Sequence, residues 1–126
     1  MKKFFGFLIF SALSVSCAYA ADVVISTAPQ VATYSGDIID NTCVQSNQNN
    51  LANIAPTYSK DNALMPGCAK SGYSLYTTEG KLLEFGNRSN KKVEEFLKKP
   101  YSTVRVTVTG RIVNNKLSLT TIENQK

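Results

Sequence analysis

Residues 103–122 read TVRVTVTGRIV, then Asn114-Asn115, then KLSLTTI. Across 104–109, valine alternates with a polar residue, the period of two that is typical of a β-strand with one buried face. Asparagine tolerates the positive φ of a type I′ turn, so the Asn pair predicts a tight hairpin between two strands. Gly110 interrupts the first strand, and it predicts a bulge or a sharp bend of the kind that lets a sheet curl.

The same reasoning predicts three more strands and one helix upstream. Residues 33–40 contain a glycine-bearing strand, and residues 72–85 form a hairpin that turns at Glu79-Gly80. In residues 91–99 the apolar side chains recur at i, i+3 and i+4, which indicates a short helix. This order predicts a mainly β fold, a small five-stranded OB-like barrel with one short helix between strands three and four.

The first twenty residues predict a secretory signal peptide. Lys2-Lys3 precede a largely apolar run at 4–15, and Ala18-Tyr19-Ala20 supplies small residues for a cleavage site. The run is shorter than the about 20 residues that a membrane span requires. We therefore expect cleavage near Ala20 and a periplasmic or secreted protein with no membrane span in the mature chain. The residues before Cys17 lack the leucine of a lipoprotein processing site, which disfavours acylation there.

The rest of the chain is predicted to be one domain. A length of 126 residues leaves no room for a second domain of ordinary size. Residues 21–32 are predicted to be an N-terminal arm, and residues 33–123 the OB-like barrel domain. Within that domain, residues 43–68 are polar and rich in asparagine and proline, which predicts a long irregular loop.

Cys43 and Cys68 stand at the two ends of this loop. In an exported protein a pair of cysteines first predicts a disulfide, which here would staple the loop and contribute roughly 3 kcal/mol. The alternative is a soft-metal or thiol-redox module, because reduced Cys43 and Cys68 together with Met65 would make a site suited to Cu(I). The cysteines do not form the Cys-x-x-Cys motif that thiol oxidoreductases usually present.

The remaining composition disfavours catalysis and nucleic-acid binding. The chain contains no histidine, so the usual nucleophile–base pairs are missing, and Asp37 and Asp40 are expected to face solvent near a strand end. We predict no catalytic residues, no metal and no cofactor. Removing the two signal lysines lowers the formal charge from +5 to +3, and the basic residues are scattered along the chain.

Aromatic residues are the best candidates for a binding surface. OB-folds often stack ligands on aromatic side chains of the barrel face. The candidate binding residues are Tyr34, Tyr73, Tyr76, Tyr101 and Arg105.

These motifs together resemble a group of small exported bacterial proteins with an OB-like domain. The matching residues are 36–43 (GDIIDNTC), Cys68, Glu79-Gly80-Lys81 and 106–110 (VTVTG), and the resemblance extends over residues 36–122. It implies the barrel fold and says little about the ligand. We therefore predict a non-catalytic binding or assembly module whose partner is a protein or glycan of the cell envelope.

Overall fold

The computed structural model describes residues 29–126, and its centre is one antiparallel sheet of five strands ordered β3-β2-β1-β4-β5. The predicted signal peptide and most of the predicted arm lie outside the described residues. The mainly β class is confirmed. The strands are β1 (Ala32–Asp40), β2 (Tyr73–Thr77), β3 (Leu82–Glu84), β4 (Arg105–Val113) and β5 (Lys116–Asn124).

The segment between β1 and β2 is helical, so the prediction of an irregular loop at 43–68 is wrong. Short helices begin at capping residues and prolines here: Asp40, the last residue of β1, and Ser59 accept hydrogen bonds from first-turn N–H groups, and Pro66 occupies a first turn. The helices are α1 (Asn41–Ser46), α2 (Leu51–Ile54), a 3₁₀ turn (Ala55–Thr57), α3 (Lys60–Ala63) and α4 (Pro66–Ser71).

A further helix, α5 (Asn87–Leu97), lies between β3 and β4, where the sequence predicted a helix at 91–99. It begins four residues earlier because Ser89 is buried inside its first turn, where it accepts a hydrogen bond of 2.8 Å from the Leu119 N–H of β5. Lys92 donates to the Leu119 carbonyl at 3.2 Å. These two bonds fasten α5 to β5.

Strand β1 is shared by two neighbours. Its first part pairs with β4 from Ala32 to Asp37, and its second part pairs with β2 from Gly36 to Asp40. At the changeover, a Cβ on Gly36 would lie only 2.2 Å from the Tyr76 carbonyl oxygen. Only glycine lets the two backbones approach so closely.

The predicted C-terminal hairpin is confirmed. Asn114 and Asn115 both adopt positive φ, 51° and 62°, as a type I′ turn requires. The register between β4 and β5 shifts between Thr109 and Gly110, the predicted bulge. The turn at Glu79-Gly80 is also present, with Gly80 at a φ of 82°.

The prediction of a closed barrel is not confirmed, because the sheet is not closed. Its two end strands meet at a single parallel bridge between Phe85 and Leu117, where Gly86 N–H donates to the Leu117 carbonyl at 3.1 Å. The prediction of a single helix is also wrong, because, in addition to α5, four α-helices lie between β1 and β2.

The core joins the inner face of the sheet to α5 and to the helices after β1. Val106 and Val108 of β4 are fully buried in it, as the alternation of valines predicted, whereas the adjacent Ile38 and Ile39 of β1 are both buried. Within residues 29–126, none of the helices is long and apolar enough to cross a membrane. The fully buried core includes Ile38, Leu75, Phe85, Val93, Leu97, Val106, Val108 and Leu117.

Replacing Gly36 with alanine tests the close contact between β1 and β2. The new Cβ would overlap the Tyr76 carbonyl oxygen, so we expect Gly36→Ala to lower the free energy of unfolding by about 1–3 kcal/mol, the usual cost of overpacking. Urea denaturation of the purified protein measures the change.

Gly67→Ala is the matched control, because a Cβ at Gly67, in the first turn of α4, would meet no atom within 4 Å. Alanine there should leave the free energy of unfolding unchanged or raise it by about 0.4–1 kcal/mol. If both variants unfolded at the same urea concentration, the close contact at Gly36 would not be important for the stability of the fold.

Candidate functional site

A groove of about 550 Å³ lies over the outer face of β2, β1 and β4. We call it the Tyr76 groove. Its floor carries Asp37, Tyr76 and Arg105, and the turn after β2 together with the short helices after β1 forms its walls. The wall residues include Ala52, Ala55, Pro56, Thr78, Glu79 and Gly80.

The strand register brings the three floor residues together. Asp37 of β1 lies opposite Tyr76 of β2 on one side and opposite Arg105 of β4 on the other. Directly paired residues of antiparallel strands share a face of the sheet, so the three side chains form a row across it. Two of the five predicted binding residues, Tyr76 and Arg105, therefore belong to one surface.

The charges of the groove are largely paired with each other. Arg105 Nε donates to Asp37 Oδ1 at 3.2 Å, and the Arg105 side chain remains 58% exposed. Glu79 lies 3.8 Å from Lys81 in a more exposed pair. Such surface pairs add at most about 1 kcal/mol to stability, so they leave these groups available to a ligand.

Tyr76 also lines a second recess of about 430 Å³ on its other side, next to α2. Leu51 and Leu82 contribute apolar surface there, and Leu82 is 43% exposed. The Tyr76 side chain thus lines both the groove and the recess. A half-buried aromatic ring in this position can contact a ligand with its face.

The other three predicted binding tyrosines lie elsewhere. Tyr73 is fully buried in the core, and its hydroxyl donates to the Ala63 carbonyl at 2.8 Å. Tyr34 packs half-buried against the core. Tyr101 is 67% exposed in the turn after α5, and it does not line the Tyr76 groove.

A second cavity, of about 380 Å³, contains the sulfur atoms of the chain's helical segment. We call it the thiol cavity. Cys43 of α1, Met65 and Cys68 of α4 line it together with Asp40 and Tyr58. The structure therefore brings together the three residues of the predicted soft site.

The predicted disulfide is not confirmed, because Cys43 and Cys68 are separate thiols in the structure. Hydrogen bonds hold the two ends of the segment together. Ser71 Oγ accepts from the Thr42 N–H at 3.3 Å, and Asn41 Nδ2 donates to the Ser71 carbonyl at 3.0 Å. These bonds join α1 to α4.

Asp40 is buried, with 1% of its surface exposed, although the sequence predicted that it would face solvent. Its Oδ1 accepts from the Cys43 N–H at 2.9 Å and caps α1, and its Oδ2 accepts from the Tyr58 hydroxyl. The Asp40 N–H in turn donates to the Tyr58 oxygen at 3.2 Å. An aspartate directly before a helix is a capping signal, but nothing in the sequence indicates Tyr58 as its partner.

Both thiols of the cavity hold their protons more tightly than an ordinary cysteine. Burial raises the pKa of Cys43 and the charge of Asp40 raises it further, while a hydrogen bond of 3.7 Å from Asn47 Nδ2 opposes them. Burial, followed by the charge of Asp40, also raises the pKa of Cys68. Because the thiolate is the reactive form in thiol exchange, this environment disfavours the thiol-redox alternative.

One serine–lysine pair lies within the described residues, between Ser102 and Lys60, with 3.4 Å from Nζ to Oγ. Both groups bind the carbonyl oxygens at the end of α5. Lys60 donates to the Lys99 carbonyl at 3.2 Å, and Ser102 donates to the Leu97 carbonyl at 3.0 Å. These contacts satisfy the helix terminus, so the pair has a structural explanation.

Comparisons with known protein families, curated proteins and solved structures found no match for the chain. The resemblance to exported OB-like proteins therefore stays a prediction. Within residues 29–126, no three His, Cys, Asp or Glu side chains are grouped so that they could hold a metal ion.

The buried tyrosines predict a loss of stability at high pH. Burial raises the pKa of Tyr73 from 10.0 to about 12, and burial followed by the Asp40 contact raises that of Tyr58 further. The stabilisation is complete below the unfolded-state pKa of about 10 and is lost as the pH rises above it. Between about pH 10, the unfolded-state pKa, and about pH 12, the folded-state pKa of Tyr73, each tyrosine should lower the free energy of unfolding by about 1.4 kcal/mol for every unit that the pH rises.

Urea denaturation across this pH window measures the slope. Tyr73→Phe should reduce the slope by about 1.4 kcal/mol per pH unit, whatever it does to stability at neutral pH. Tyr101→Phe, at an exposed position, should leave the slope unchanged. Equal slopes in the unsubstituted protein and in Tyr73→Phe would contradict the assignment.

Proposed function

We propose that the chain is an exported, non-catalytic module that binds a glycan of the cell envelope in the Tyr76 groove. The row of Asp37, Tyr76 and Arg105 across three strands carries this proposal. It combines an aromatic ring with two planar charged groups on a rigid sheet. The cavity has the volume of a typical small-ligand site, about 300–1,000 Å³.

The chemistry of the groove suits a neutral polyhydroxylated ligand. The carboxylate of Asp37 accepts and the guanidinium of Arg105 donates, so a pair of neighbouring sugar hydroxyls can bind both groups. The Tyr76 ring offers an apolar face for the C–H side of a sugar. Nucleic acid is a poorer fit, because Asp37 and Glu79 would repel phosphate groups.

We further propose that the sheet forms an OB-like barrel whose closure lies between β3 and β5. The bridge from Phe85 to Leu117 and the hydrogen bond from Gly86 support this, since they bring the two end strands into contact. Helix α5, fastened to β5 through Ser89 and Lys92, would cover the gap where the end strands are not paired.

Export after cleavage near Ala20 is part of the proposal, and the first twenty residues support it as a signal peptide. We expect the intact mass of the protein recovered from outside the cytoplasm to correspond to a chain that begins at Ala21. A mass that retains Met1, or one that carries a lipid on Cys17, would contradict this.

Substitution of Tyr76 tests the binding proposal. We expect N-acetylglucosamine oligomers, as soluble envelope-glycan probes, to bind the protein in isothermal titration calorimetry. Tyr76→Ala should weaken binding about tenfold or more, equivalent to about 1.4 kcal/mol, because the aromatic contact is lost. Arg105→Lys should also weaken it, since lysine lacks the planar fork of the guanidinium.

Tyr101→Ala is the matched control, because it removes an exposed tyrosine outside the groove and should leave the affinity unchanged. Tyr76→Phe should retain most of the affinity if the ring face makes the contact. Failure of the unsubstituted protein to bind the oligomers, or equal binding by Tyr76→Ala, would contradict the proposal and favour a protein partner for this face.

A further inference from the structure

We propose that the thiol cavity is a binding site for one Cu(I) ion, with the sulfur atoms of Cys43, Cys68 and Met65 as its ligands. This is a function separate from ligand binding in the Tyr76 groove. The observation that carries it is that three sulfur-containing residues, from α1, α4 and the position before α4, line one open cavity of about 380 Å³.

The positions of the two cysteines are fixed by hydrogen bonds to their own backbones. The Cys43 N–H donates to the buried Asp40 carboxylate, and its carbonyl accepts from Asn47 Nδ2 at 2.9 Å. The Cys68 carbonyl accepts from Ser71, which also binds α1 through Thr42. These backbone contacts hold both cysteines at one cavity.

Met65 supplies the third sulfur ligand, and the packing of the core does not require its side chain. It is 54% exposed, although a methionine side chain usually packs inside a protein. It lies at the mouth of the cavity, directly before Pro66 begins α4. Its thioether is a soft ligand in the same cavity as the two thiols, and it adds no charge.

The ligand set selects a soft ion of low coordination number. Thiolate and thioether sulfur favour Cu(I), whereas a structural Zn²⁺ site requires four ligands drawn from Cys, His, Asp or Glu. The described residues do not group even three such side chains. Two thiols and a thioether provide the donors of a two- or three-coordinate Cu(I) site.

Within residues 29–126, the lining of the cavity contains no basic residue. Among the described residues that line it, Asp40 is the one acidic side chain. Each thiol that binds Cu(I) releases one proton to solvent as its S–H bond is replaced by an S–Cu bond. No electron is transferred, so the step needs no oxidant or reductant.

Competition with a chromogenic Cu(I) chelator under anaerobic conditions tests the site. The protein is used as the cell exports it, or with Cys17→Ser if residues 1–20 are retained. We expect one Cu(I) per chain. Cys43→Ser and Cys68→Ser should each lower the affinity for Cu(I) by more than about 100-fold. Losing only a residue that hydrogen-bonds to a metal ligand already lowers metal affinity by about 10- to 100-fold, and these variants lose a ligand itself.

Met65→Leu should lower the affinity for Cu(I) less, by about tenfold. X-ray absorption should show three sulfur neighbours of copper in the unsubstituted protein and two in Met65→Leu. The matched control is Thr42→Ala, which alters an exposed residue of the same cavity that carries no sulfur and should leave the affinity unchanged. Circular dichroism identifies any variant that fails to fold.

If a cysteine variant does not fold, alkylation of the unsubstituted protein gives the same information. Bound Cu(I) should protect Cys43 and Cys68 from alkylation, as peptide mass spectrometry can show. The proposal would be overturned if the unsubstituted protein took no Cu(I) from the chelator, or if the folded Cys→Ser variants bound it equally well. A native disulfide between the two cysteines would also overturn it, because it removes both thiol ligands.

Discussion

The close approach of Gly36 to the Tyr76 carbonyl is the contact on which the rest of the structure depends. It lets β1 leave β4 and join β2 within one unbroken strand. Because the changeover falls at Gly36, the next residue, Asp37, has a partner on both sides. Three residues further on, the strand ends at Asp40, where the helical segment begins.

Both candidate sites follow from that geometry. The Tyr76 groove exists because Asp37 is paired with Tyr76 on one side and with Arg105 on the other. The thiol cavity exists because Asp40, at the end of the same strand, caps α1 and holds Tyr58. A buried carboxylate is costly unless it is hydrogen-bonded, so Asp40 restricts how the short helices can pack around it.

The strands could be predicted from the sequence because their signals are local. The alternation of valines predicted β4, the Asn114-Asn115 pair predicted the turn, and Gly110 predicted the bulge. The helices between β1 and β2 could not be predicted in this way, because each has only four to six residues and an apolar periodicity cannot be recognised in so few. Their caps and their packing, rather than their own sequence pattern, determine them.

The sites were predicted only in part, because they depend on contacts between distant residues. Tyr76 and Arg105 meet through the strand register, which no local pattern reveals. The pairing of Asp40 with Tyr58 joins residues 18 apart. The cysteines were expected to be bonded because exported proteins usually oxidise such pairs, whereas the structure holds α1 and α4 together through Ser71.

Glycan binding in the Tyr76 groove can be mapped by amide chemical-shift changes when an N-acetylglucosamine oligomer is titrated into the isotopically labelled protein. We expect the largest changes at Asp37, Tyr76, Thr78 and Arg105, around the Tyr76 groove. This proposal would be contradicted if the shifts did not change, or if the changes were centred on Cys43 and Cys68 while the groove stayed unperturbed.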